Sequence, residues 1–140
     1  MNREEIMKIL PHRDSMLLLD DVVLQEGCAV GHYTVRGDEF FLNGHFPNHP
    51  IVPGVILCEI LAQSACILMQ DKMSEGTIPV YTGLDRVKFR SPVVPGDTVE
   101  TRCQIKRAKH PFYFAEGTVT VDGRLCVSAE FSFAITESAI

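Results

Sequence analysis

The chain has 140 residues, of which 46% are hydrophobic and 22% charged, with a formal net charge of −5. That composition excludes a disordered or low-complexity chain, and the length fits a single domain, 1–140, with a core of its own. Five cysteines, at 28, 58, 66, 103 and 126, form an odd set without a CxxC pair, which argues against a disulfide framework or a zinc site and for reduced thiols in the cytoplasm.

MNREEIMKIL at the N-terminus lacks the basic and apolar regions of a secretory signal, consistent with that location. Residues 3–9 read as a short helix capped by Asn2 and stopped by Pro11. MLLLDDVV (16–23) and CAVGHYTV (28–35) are rich in aliphatic and β-branched residues and read as strands. Residues 37–53 form a loop stiffened by Pro47, Pro50 and Pro53, long enough to carry function.

Residues 54–70 read as the one long helix. It is apolar nearly all round and therefore belongs inside the protein. Glu59, Gln63 and Ser64 interrupt it too often for a membrane span, so neither membrane insertion nor a nucleic-acid partner is expected. Four strands follow, at 78–89, 97–108, 112–121 and 124–135. The last two flank Asp122-Gly123, the signature of a tight type I′ hairpin. Val99, Thr101, Cys103 and Ile105 alternate with Glu100, Arg102 and Gln104, the period-2 pattern of a sheet with one buried face. The expected fold is α+β: a long central helix wrapped by a curved antiparallel sheet of about six strands.

Glu59 lies in the second turn of that helix. Burial there would favour its neutral acid form, which suits a general acid near neutral pH. Gln63, four residues on, shares its face and can hydrogen-bond the carboxyl group. The competing reading puts Glu59 on a solvated patch or against a distant arginine. His45, on the stiffened loop, suits a base near pH 7, although an isolated histidine is more often structural. Pro53-Gly54-Val55 opens the helix, where free N–H groups can hold an oxyanion. Together these supply a base, an acid and an oxyanion donor for removing a proton next to a carbonyl and expelling a β-substituent. His45 and His49 have an HxxxH spacing, but Pro47 and Pro50 forbid the regular helix that would make it a metal site. His12, His32 and His110 have no partner identifiable from sequence. Nucleotide-binding and serine-nucleophile motifs are absent.

LPHR (10–13) with LLLDDV (17–22), FFLNGHFPNHPIVPGVILCEILAQSA (40–65) and LDRVKFRSPVVPGD (84–97) resemble the three signature blocks of the bacterial β-hydroxyacyl-acyl-carrier-protein dehydratases. The resemblance runs colinearly from about residue 5 to about residue 136 and implies the hot-dog fold. It further implies that His45 is the catalytic histidine and Glu59 the catalytic carboxylate, supplied by the opposite protomer of a dimer. Gly54 N–H, with Val55 beside it, would hold the thioester carbonyl of a (3R)-hydroxyacyl chain carried by acyl carrier protein. No metal or organic cofactor is implied, and the assembly is a homodimer or a hexamer built as a trimer of dimers. The family often places a tunnel-gating tyrosine five residues before the aspartate of LDRV; Val80 stands there, with Tyr81 next, and the gate stays unassigned.

The strand DRVKFR puts Arg86, Lys88 and Arg90 on one face, and KRAK adds Lys106, Arg107 and Lys109. Lys88 and Arg90 lie in a resembling block and are the expected docking residues for an acidic carrier protein; the KRAK cluster is as readily a solvated face. Three alternatives stay open: a dehydratase that also isomerises trans-2 to cis-3 double bonds, a hot-dog thioesterase, and a non-catalytic acyl-binding module.

Overall fold

A computed structural model describes residues 1–137. Helix α1 spans Arg3–Met7 and begins with a capping box: Asn2 Oδ1 accepts the Glu5 N–H at 2.9 Å, and Glu5 Oε1 accepts the Asn2 N–H at 3.2 Å. It ends two residues before the expected Ile9, because the Ile9 and Leu10 N–H groups both turn back onto the Ile6 carbonyl ahead of Pro11.

The strand expected over 16–23 is corrected by the structure. Asp14–Met16 form a 3₁₀ turn and β1 begins only at Asp21, running Asp21–Gln25. Leu17, Leu18 and Leu19 are buried, yet their backbone is served by side chains instead of a ladder. Gln63 Oε1 accepts the Leu18 N–H at 3.0 Å, and the Arg3 guanidinium donates to the Leu17 and Leu19 carbonyls. Satisfying buried backbone groups this way removes the need for a strand partner.

β2 (Cys28–Thr34), β3 (Thr77–Phe89), β4 (Thr98–Lys109), β5 (Phe112–Val121) and β6 (Arg124–Glu137) complete one antiparallel sheet in the order β1-β2-β4-β5-β6-β3. Asp122 and Gly123 join β5 to β6 with φ of 49° and 80°, the two positive values that a type I′ turn requires. Register shifts in β3, between Tyr81 and Gly83 and between Asp85 and Lys88, and in β4, between Ile105 and Arg107, bend the sheet around the core.

Helix α2 (Gly54–Ile67) lies in the hollow, against β2, β4, β5 and β6. From Leu57 to Ile67 every residue is buried except Glu59. Fully burying side chains such as Ile60, Leu61 and Ile67 stabilises the fold by about 1.5–3 kcal/mol each. The approach is close: a Cβ at Gly117 of β5 would stand 2.8 Å from Leu61 Cδ1 and 2.6 Å from the Arg102 carbonyl oxygen, so only glycine lets the helix settle there. α2 ends at Ile67, not Gln70, because Leu68, Met69 and Gln70 donate to carbonyls three residues back in tighter turns.

Candidate active site

The loop before α2 is folded on itself by its own backbone. Phe46 and His49 exchange N–H···O bonds of 3.0 and 2.9 Å, and the Ile51 N–H donates to the His45 carbonyl at 2.8 Å. The His45–Phe46 peptide is cis, and the two rings stack with centroids 4.2 Å apart. His45 Nδ1 is 2.9 Å from the Ile51 carbonyl oxygen. A carbonyl can only accept, so Nδ1 carries the hydrogen and Nε2 presents a free lone pair. The half-buried ring is thus held as a base whose reactive nitrogen has no protein partner among the described residues.

Pro53 caps α2 without a side-chain bond, and the first helical donors to find a partner are Ile56 and Leu57, both onto the Pro53 carbonyl. The Gly54 and Val55 N–H groups are therefore left for a ligand at the positive end of the helix. Val55 is 66% exposed. Phe89 of β3 covers Gly54 so closely that a Cβ there would stand 2.5 Å from the ring.

Glu59 departs from the expectation of full burial: its side chain is 22% exposed. Neither a solvated patch nor an arginine receives it. Gln63 Nε2 donates to Glu59 Oε2 at 2.9 Å and to the Met16 carbonyl at 2.8 Å, while Gln63 Oε1 accepts from Leu18. That backbone donor fixes which end of the amide is which, so Gln63 is a saturated donor to Glu59. His12 Nε2 approaches the same oxygen at 3.4 Å. Glu59, Gln63, His12, Cys66 and Tyr81 share a cavity of about 30 Å³, far below the ~300–1,000 Å³ of a typical ligand pocket.

Burial, and then the nearby Glu59 charge, push both the Tyr81 hydroxyl and the Cys66 thiol well above their usual ranges. Tyr81 remains a donor, bonded at 2.6 Å to the Cys58 carbonyl on α2, and Cys66 stays a neutral thiol with no nucleophilic role.

No hydrogen bond or common cavity joins His45 to Glu59 among the described residues. The structure gathers Glu59 with Gln63, and Gly54 with Val55, but leaves His45 apart from the carboxylate. Lys88 and Arg90 line a larger groove of about 690 Å³ on the outer sheet face, together with Arg86 and Arg102. The bulge between Asp85 and Lys88 breaks the simple alternation from which Arg86 was placed, yet the groove still gathers all three. Arg102 was invisible as a member because it arrives from β4 through the cross-strand row Lys88, Ser128, Thr118, Arg102. Glu116 and Glu130 line the same groove and engage two cations: Lys106 lies 3.0 Å from Glu130 and 3.6 Å from Glu116, and Arg86 3.5 Å from Glu130. Sequence reasoning also missed Ile51, Phe89 and His12; each lies inside one of the resembling blocks, but the blocks named no partner for any of them.

A sheet rolled around one buried helix, with a histidine loop entering the helix N-terminus, is the hot-dog architecture of acyl-thioester chemistry. The chain belongs to the FabA-like domain family, which matches residues 10–130. It is 40% identical over 137 residues to the 3-hydroxyacyl-[acyl-carrier-protein] dehydratase FabZ of Clostridium perfringens, covering 96% of this chain and 99% of that one. The FabZ of Petrotoga mobilis is 41% identical over 139 residues, covering 99% and 100%. Among solved structures, the dehydratase heterocomplex ApeI:P from Xenorhabdus doucetiae has the same fold, with a TM-score of 0.82 at 19% identity over 94% of this chain and 91% of that one.

Proposed function

We propose that this chain, acting as one dehydratase domain, converts (3R)-hydroxyacyl chains on acyl carrier protein to trans-2-enoyl thioesters in type II fatty-acid biosynthesis. The observation that carries the reading is Glu59. It is the one residue of the α2 segment 57–67 that is not buried, and it is held by Gln63 with Oε1 free of any partner among the described residues. The thioester carbonyl acidifies the α-carbon. His45 Nε2 takes the α-proton, and the developing enolate oxygen rests on the Gly54 N–H, with Val55 beside it. As the electrons return to form the double bond, the acid form of Glu59 protonates the β-hydroxyl and the C–O bond breaks to release water. Neither step calls for a redox or metal cofactor.

The reading includes a homodimer in which His45 of one copy meets Glu59 of the other. β3 is an edge strand of 13 residues with Val80, Leu84 and Phe89 exposed, and a bare edge of that length is a template for pairing. Residues 79–81 of β3 also wall the Glu59 cavity, which is too small for an acyl chain unless a second copy extends it. Three such dimers would make the hexamer. Lys88, Arg90 and Arg102 supply the cationic side of the groove for the acidic carrier, and five free thiols support a cytoplasmic setting.

The test is absorbance of enoyl-thioester formation from hydroxyacyl carrier-protein substrates, run beside acyl thioesters that lack the β-hydroxyl. Enoyl product from the first and no free thiol from the second is the expected result. Free thiol without enoyl product would overturn it in favour of a thioesterase.

A further inference from the structure

We infer that His12 is a positioning residue for the proton-donating carboxyl group, an assignment that rests on the dehydratase reading and goes beyond it. The loop that carries His12 is fastened by its neighbour: the Arg13 guanidinium donates to the carbonyls of Leu10 and His12 at 2.7 Å each and of Met7 at 2.9 Å. Gln63 fastens the next stretch through Met16 and Leu18. His12 is thereby set against α2, its Nε2 3.4 Å from Glu59 Oε2, with 19% of its side chain exposed.

Two side chains then meet at one oxygen. The Gln63 amide donates to Oε2 and the His12 Nε2 edge stands 3.4 Å from the same atom, so Oε2 is the oxygen the protein holds and Oε1 is the one open to substrate. The other ring nitrogen sharpens this. His12 Nδ1 is buried and has no hydrogen-bond partner among the described residues, so the ring's polar approach to its surroundings is through Nε2. His12 thus braces Oε2 beside Gln63 and leaves Oε1 as the oxygen that faces substrate.

The test uses a substrate that needs no general acid. A 3-chloroacyl thioester of N-acetylcysteamine loses chloride with the C–Cl electron pair while His45 takes the α-proton, so its elimination bypasses Glu59; the matched 3-hydroxyacyl thioester does not. His12→Leu should lower kcat on the hydroxy substrate at least about tenfold, with KM within about twofold, and leave the chloro substrate within about twofold. His12→Gln, which restores an uncharged donor near the Nε2 position, should regain most of the loss. Equal losses on both substrates, no loss on the hydroxy substrate, or a Gln variant as poor as Leu would each overturn the assignment. Should His12→Leu fail to fold, His12→Asn, whose amide falls nearer Nδ1, replaces it, and Asn matching or exceeding Gln would overturn the assignment. A wild-type protein inert on the hydroxy substrate would instead refute the dehydratase reading itself.

Discussion

His45 and Ile51 hold each other by two hydrogen bonds, from the Ile51 N–H to the His45 carbonyl oxygen at 2.8 Å and from His45 Nδ1 to the Ile51 carbonyl oxygen at 2.9 Å. The pair fixes both the loop and the ring, and it dictates the tautomer. Neutral His45 should be protonated at Nδ1 with Nε2 bare. Long-range ¹⁵N–¹H correlation of the labelled ring should show that tautomer; an Nε2–H form would remove His45 as the base.

Gly54 and Phe89 make the N-terminus of α2 intolerant of a methyl group. In Gly54→Ala the new Cβ would lie 2.5 Å from Phe89 Cε1 and 2.7 Å from Cδ1. Overpacking costs about 1–3 kcal/mol, here at the low end because Phe89 is 57% exposed and can swing outward. Urea unfolding should show that loss in Gly54→Ala and its recovery in Gly54→Ala with Phe89→Ala. No recovery would mean the ring is not the obstacle.

His32 clasps the sheet at a pH-sensitive point. Its Nδ1 is 2.7 Å from Asp21 Oδ1 on β1 and its Nε2 3.0 Å from Glu100 Oε1 on β4. Burial works to lower its pKa, but the hydrogen bonds and charges of the two carboxylates outweigh burial, and the net shift is upward from 6.5. A pKa raised in the folded state means stabilisation that is complete below the unfolded value and lost as pH rises through the folded one. The stability difference between wild type and His32→Ala, measured by urea unfolding, should therefore be larger at about pH 5.5 than at about pH 8.5. A difference that grows with pH would contradict the clasp.

Charge reversal at Lys88 and Arg90 separates docking from chemistry. At a net charge of −5 the protein would repel an acidic carrier at long range, and the proposed docking rests on the local cations Lys88 and Arg90. The double glutamate variant should raise KM for carrier-bound substrate and steepen its salt dependence, while sparing a pantetheine or coenzyme A analogue. Equal loss on both substrates would make these residues supports of the site, and an unchanged KM would place the carrier elsewhere.

Much of this was legible in the sequence because the signals were periodic. The apolar run of α2, the alternation in β4 and the positive-φ pair Asp122-Gly123 each specify one local geometry. The segment 16–20 misled because three consecutive leucines look like a strand, whereas their backbone is satisfied by Arg3 and Gln63 from other elements. His12 was unreadable for the same reason. Its partner lies 47 residues away, and only the folded loop brings the two within 3.4 Å.

The central claim is that one site is built from His45 of one copy and Glu59 of another. Its most direct measurement is enoyl formation by mixed variants. His45→Ala and Glu59→Gln should each lose ~10²–10⁴-fold alone, since each removes one proton-transfer partner. After verified subunit exchange, their mixture should regain activity toward one intact site per heterodimer. A mixture no more active than its components would contradict the shared site, and a loss under about tenfold in either single variant would contradict the roles assigned to the two residues.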